Sequence, residues 1–191
     1  MSMSTSESSR ALKRTVVIAI FAAVAVVLSI VESAIQIPFT IPGAKLGLAN
    51  IMILTCIYFL RGRDALMLVV LKTILTAFIF GTFSSLLFSL FGSLFSFVVM
   101  YVLMLLGSKR LSLIGISIAG GIAHNIGQLF AAAMVFATFR IFYYLPMLLI
   151  AGVVTGIAVG FAVRYLVASL SRISLFEELK SDSSILQQEE E

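Results

Sequence analysis

Apolar residues come in six long blocks along this chain, and charged residues fall almost entirely between them. The blocks are Val16–Ile35, Leu46–Leu60, Ala65–Phe80, Leu86–Leu106, Leu111–Thr138 and Pro146–Val167. Most approach the ~20 residues that a helix needs to cross a bilayer, so the pattern predicts an all-α, polytopic membrane protein with six transmembrane helices. The breaks are short: Arg61–Asp64, Gly81–Ser85, Gly107–Arg110 and Thr138–Leu145. Pro146 is expected in a first helical turn, where its missing N–H costs nothing. Between the first two blocks, Pro38 and Pro42 make Ile37–Gly43 irregular, because proline removes a donor and disfavours helix before it. The second block is short for a span, so this loop is expected to dip into the outer part of the bundle.

Composition sharpens the class. Of 191 residues, 61% are hydrophobic and 12% charged, and mean hydropathy is +1.15. A soluble domain carries about 25% charged residues. The formal charge of +4 does not indicate nucleic acid, since the basic residues follow membrane topology. Arg10, Lys13, Arg14, Arg61, Arg63, Lys109, Arg110, Arg164, Arg172 and Lys180 fall on one side, Lys45 and Arg140 on the other, and Lys72 within a block. Six spans with both termini cytoplasmic satisfy that bias; five would not. The basic start also fits a signal peptide, but Glu32 falls where a cleavage site wants small neutral residues. The organisation expected is a disordered cytoplasmic N-terminus over residues 1–13, a membrane domain over 14–168, and a cytoplasmic tail over 169–191. The tail is expected to start as an amphipathic helix through Ile173, Phe176 and Leu179. The placement is the bacterial cytoplasmic membrane, with the lipid bilayer as first partner.

Candidate chemistry lies where polar residues interrupt the blocks. The fifth block holds the chain's one histidine, His124, followed by Asn125 and Gln128. A helix puts His124 and Gln128 on one face with Asn125 alongside. Such groups cost several kcal/mol in hydrocarbon unless partnered, so this helix should face a bundle interior. Lys72 sits mid-block, where insertion costs about 2.5–3.5 kcal/mol. Glu32, Lys45 and Asn50 are expected at the outer ends of the first and second helices. All seven share one level, which points to one outward-opening site for a small polar or anionic ligand. Each has a plainer alternative: an ion pair of Glu32 with Lys72, snorkelling of Lys45, a helix-to-helix hydrogen bond from Asn50. Tyr143 and Tyr144 read as an interfacial belt. Ala19, Ala22 and Ala23 on the first helix fit either internal packing or contact with a partner subunit. Gly115, Ala119, Ala123, Gly127 and Ala131, and Gly152, Gly156 and Gly160, read as bundle packing.

Several chemistries are excluded. There is no phosphate-cradling Gly-x-x-x-x-Gly-Lys-Ser/Thr motif, so the chain does not hydrolyse ATP. One histidine and the single Cys56 cannot build a usual zinc site, and no cofactor or metal is expected. A triad lacks its orienting acid. Prenyl-chain synthesis needs aspartate clusters that hold magnesium, and the aspartates are only Asp64 and Asp182. Catalysis by this chain is therefore not expected.

Three stretches, Ile41–Asn50 (IPGAKLGLAN), Phe80–Phe83 (FGTF) and Gly120–Leu129 (GGIAHNIGQL), resemble one bacterial membrane family, known both as heptaprenyl diphosphate synthase component I and as the Gx transporter family. The resemblance covers about Arg14–Val167. The layout is also similar to the S components of energy-coupling factor transporters. That second resemblance implies a loop covering an outward pocket, a transmembrane coupling subunit meeting Ala19, Ala22 and Ala23, and separate ATPases. The synthase label implies instead a role beside a soluble prenyl diphosphate synthase subunit in making the menaquinone side chain.

Overall fold

The computed structural model describes residues 5–35, 45–107 and 111–180. Among them every regular element is helical: α1 Thr5–Ala34, α2 Asn50–Phe59, α3 Gly62–Phe80, α4 Phe83–Gly107, α5 Leu113–Phe136 and α6 Leu145–Leu170, with a 3₁₀ segment Phe139–Tyr144 before α6. Four stretches are long and apolar enough to cross a membrane: Ser8–Ala34, Phe83–Gly107, Leu113–Phe136 and Phe139–Leu170. Two of the six expected spans differ. α2 has 10 residues, and α3 carries Arg63, Asp64 and Lys72 within its 19. The proline loop Ile37–Gly43, the basic pair Lys109 and Arg110, and the end of the tail lie outside the described residues.

Local chemistry explains the helix ends. Ser112 caps α5, its hydroxyl accepting from the Gly115 N–H at 3.0 Å. At the start of α3, Asp64 accepts from the Arg61 N–H at 3.1 Å and also pairs with Arg14 of α1. That carboxylate ties two helices at one end of the bundle. α3 ends at Gly81 in the left-handed region (φ 66°). α2 starts at Asn50, later than hydropathy predicts, because Gly47 adopts φ +89° and helix cannot run through it. α1 begins at Thr5, inside the stretch expected to be disordered; Ser8–Leu12 are exposed.

The interior has two apolar clusters. One joins α1, α2, α3, the start of α5 and the C-terminal halves of α4 and α6, with Phe21, Ile53, Leu68, Met100, Ile116 and Val163. The other joins α4, α5 and α6 through Phe88, Leu129, Ala132 and Leu148. Polar residues separate them. Along α5 the order is Ile116 in the first cluster, then His124, Asn125 and Gln128, then Leu129 in the second. α4 runs the other way, with Phe88 first, then Ser89, Ser93 and Ser96, then Phe97 and Met100.

Glycines set the closest helix approach. A Cβ at Gly121 would lie 2.6 Å from the Gly152 carbonyl oxygen, and one at Gly156 would lie 2.5 Å from the Ile118 Cα. These positions let α5 and α6 touch backbone to backbone, as small residues do in lipid. Of the α1 alanines, Ala19 and Ala23 face outward, while Ala22 is 1% exposed and packs inward. After α6, residues 174–180 form a short helix that folds back. Phe176 stacks on Phe21 and meets Phe59 edge-on. Leu179 is buried with it, whereas Ile173 is exposed.

Candidate functional site: a buried polar layer

Glu32, Asn50, Lys72, His124, Asn125 and Gln128 are all buried, none more than 4% exposed. Lys72 and Lys45 both lie close enough to Glu32 and to His124 to act on them electrostatically. Four elements thus bring one carboxylate, two ammonium groups and an imidazole together.

The segment entering α2 lies over this group. Glu32 Oε1 accepts from the backbone N–H of Gly47, and from that of Leu48 at 3.4 Å. Gln128 Oε1 accepts from the Lys45 N–H at 3.0 Å. Gly47 passes against the imidazole: a Cβ there would lie 3.3 Å from the His124 ring and 2.8 Å from Asn50 Nδ2. The backbone needs glycine at that point for its positive φ as well as for its closeness to the ring.

The Gln128 amide fixes the histidine. With its oxygen engaged by Lys45, its nitrogen donates to His124 Nε2 at 3.0 Å. That assignment makes the imidazole neutral with its proton on Nδ1, and the Gly92 backbone also lies within hydrogen-bonding reach of the ring. On the other side Gly92 of α4 makes room. A Cβ there would lie 2.9 Å from both His124 Cε1 and Gln128 Cγ.

Several buried polar atoms have no hydrogen-bond partner among the described residues: Lys45 Nζ, Asn50 Oδ1, Thr73 Oγ1, Ser89, Ser93, Ser96 and Ser117 Oγ, and His124 Nδ1. Lys45 Nζ instead lies 4.3 Å over the Phe80 ring. Native interiors leave few polar groups in this state, and each calls for an explanation.

Asn125 does not join this set. Its amide donates to the Leu148 carbonyl oxygen at 2.7 Å, so it ties α5 to the start of α6. Sequence reasoning did not single out Ser89, Ser93 and Ser96 as site residues. Their i, i+4, i+7 spacing puts them on one face of α4, and that was the available signal. Among the described residues no group of His, Cys, Asp and Glu could hold a metal ion. An open groove of about 460 Å³ runs outside the cluster, between Ile74, Ala77 and Phe78 of α3 and Phe83 and Leu86 of α4. It is lined mostly by apolar side chains and by none of the residues of the polar layer.

An all-helical membrane protein with a polar layer between two apolar clusters is the class these features define. Within that class the chain belongs to the family described as heptaprenyl diphosphate synthase component I, whose match spans residues 21–166. That span takes in the whole polar layer. No curated protein matches, and no solved structure matches.

Proposed function

We propose that this chain is the membrane-embedded binding component for uptake of a small polar or anionic solute. The bundle has six spans with both termini cytoplasmic, α2 and the segment before it together supplying the second. Lys72 and His124 contact the solute, with Lys45, Asn50 and Glu32 closing the outer side. Gln128 holds the His124 tautomer, and Asn125 holds α5 on α6. The observation that carries this reading is the set of buried, unpartnered polar atoms on α2, α3, α4 and α5 around two lysines. A layer meant only to pack helices would satisfy its own donors and acceptors.

The test is mass spectrometry of small molecules released from the purified protein. A defined solute should be retained by the unsubstituted chain and lost from Lys72→Ala and His124→Ala, both of which still insert and fold. Equal retention by both variants overturns the site. On this reading the energy comes from a transmembrane coupling subunit and ATPases, met through the outward alanines Ala19 and Ala23.

The family description favours a second reading: a non-catalytic membrane component that works beside a soluble prenyl diphosphate synthase. That reading predicts co-purification with an aspartate-rich soluble enzyme and a change in its product length. Co-purification with ATPases instead supports uptake.

A further inference from the structure

The unpartnered atoms also specify what they want. Two ammonium groups, Lys45 and Lys72, stand against one carboxylate, Glu32, and the hydrogen bond from Gln128 keeps His124 neutral. With both lysines protonated and Glu32 ionised, the layer holds one positive charge in excess, in surroundings where an uncompensated charge is costly. Lys45 Nζ and His124 Nδ1 are donors without acceptors, while Asn50 Oδ1 is an acceptor without a donor. Asn50 Nδ2 and the Cγ–Cδ2 edge of His124 both lie against Gly47, so the two side chains belong to one small region. Ser89 and Ser93, buried on α4 beside Gly92, offer hydroxyls that can donate or accept.

We propose that the ligand of this chamber carries one net negative charge and at least one hydrogen-bond donor. Its anionic group lies between Lys45 and Lys72 and accepts from His124 Nδ1–H. Its donor meets Asn50 Oδ1, and the Ser89 and Ser93 hydroxyls take its remaining polar edge. A dianion overcompensates the charge, and a cation meets two like charges. The assignment rests on reading the layer as a binding chamber, and it adds the chemical class.

The test uses the purified full chain in lipid nanodiscs and four probes at fixed ionic strength: acetate, glycolate, malonate and tetramethylammonium. The readout is the rise in unfolding temperature of the unsubstituted protein minus that of Lys72→Gln, which cancels general salt effects. Acetate and glycolate should give a positive difference. Glycolate, with the same charge and one added hydroxyl, should bind up to about tenfold more tightly, as one hydrogen bond to a buried acceptor allows. Malonate and tetramethylammonium should give none. A larger response to malonate or tetramethylammonium overturns the charge assignment. Equal binding of acetate and glycolate overturns the donor, and that comparison needs no variant. A neutral solute retained by the purified protein and lost from Lys72→Ala leaves the chamber standing while this class falls. No loss from either Lys72→Ala or His124→Ala removes the chamber itself.

Discussion

At the residue scale the polar layer works through pairs with distinct tasks. Gln128 uses both ends of its amide, one on the Lys45 backbone and one on His124, so both its polar atoms are engaged within the layer. Gln128→Leu should leave the imidazole free to change tautomer and weaken solute retention indirectly, with the protein still folded. Gly92→Ala tests the space beside the ring. Its Cβ would lie within 3.0 Å of His124 and Gln128 side-chain atoms, so retention should fall sharply while insertion persists. Asn125→Leu differs in kind. It removes the side-chain bond to the Leu148 carbonyl, which keeps its place in the α6 ladder, so the loss is about 0.5–1.5 kcal/mol, and a lowered unfolding temperature measures it. His124, Lys72 and Glu32 were legible in the sequence because polar side chains inside apolar blocks are expensive. Which way Asn125 turns was not legible, because a helix puts it between two faces and only the position of α6 decides. The α4 serines were hidden for another reason: a membrane helix can absorb a serine by bonding it to its own backbone, so its presence alone signals little.

At the element scale, glycine contact sets how near α5 lies to α6, at Gly121 and Gly156, and to α4, at Gly92 and Gly127, and the second places His124 against α4. Gly121→Val should push the Gly152 carbonyl away and cost about 1–3 kcal/mol through overpacking, read as an earlier unfolding transition in detergent. Gly81, with open space around its Cβ position, needs glycine only for its backbone, so Gly81→Ala should show the smaller loss that a positive φ imposes. Block boundaries in the sequence located α3 to α6 closely, because hydropathy and capping residues act locally. α2 was overdrawn at its start. Glycine at Gly47 reads as a small residue in an apolar run, and its left-handed backbone follows from the contacts above it: Glu32, Asn50 and His124. The pairing of helices follows from non-local packing, which periodicity does not encode.

At the scale of the whole molecule, one end of the bundle is fastened and the polar layer lies further in. Asp64 binds Arg14, Glu178 pairs with Lys13 at 2.9 Å, and Phe176 fills the space between Phe21 and Phe59. Phe176→Ala should cost about 3 kcal/mol as a buried aromatic truncation. Its effect on thermal stability should leave solute retention unchanged, because the layer of Lys72 and His124 is held by other contacts. The central claim is that this layer is a chamber open to a polar visitor. Chemical labelling tests it most directly, because Cys56 is the one cysteine of the chain and is buried. In a Cys56→Ala background carrying Ser93→Cys, a small anionic thiosulfonate should modify the new thiol in folded protein, faster than its cationic counterpart and more slowly once Lys72→Gln is added. A thiol that stays unmodified until the protein unfolds would contradict the account, because position 93 would then be packed core.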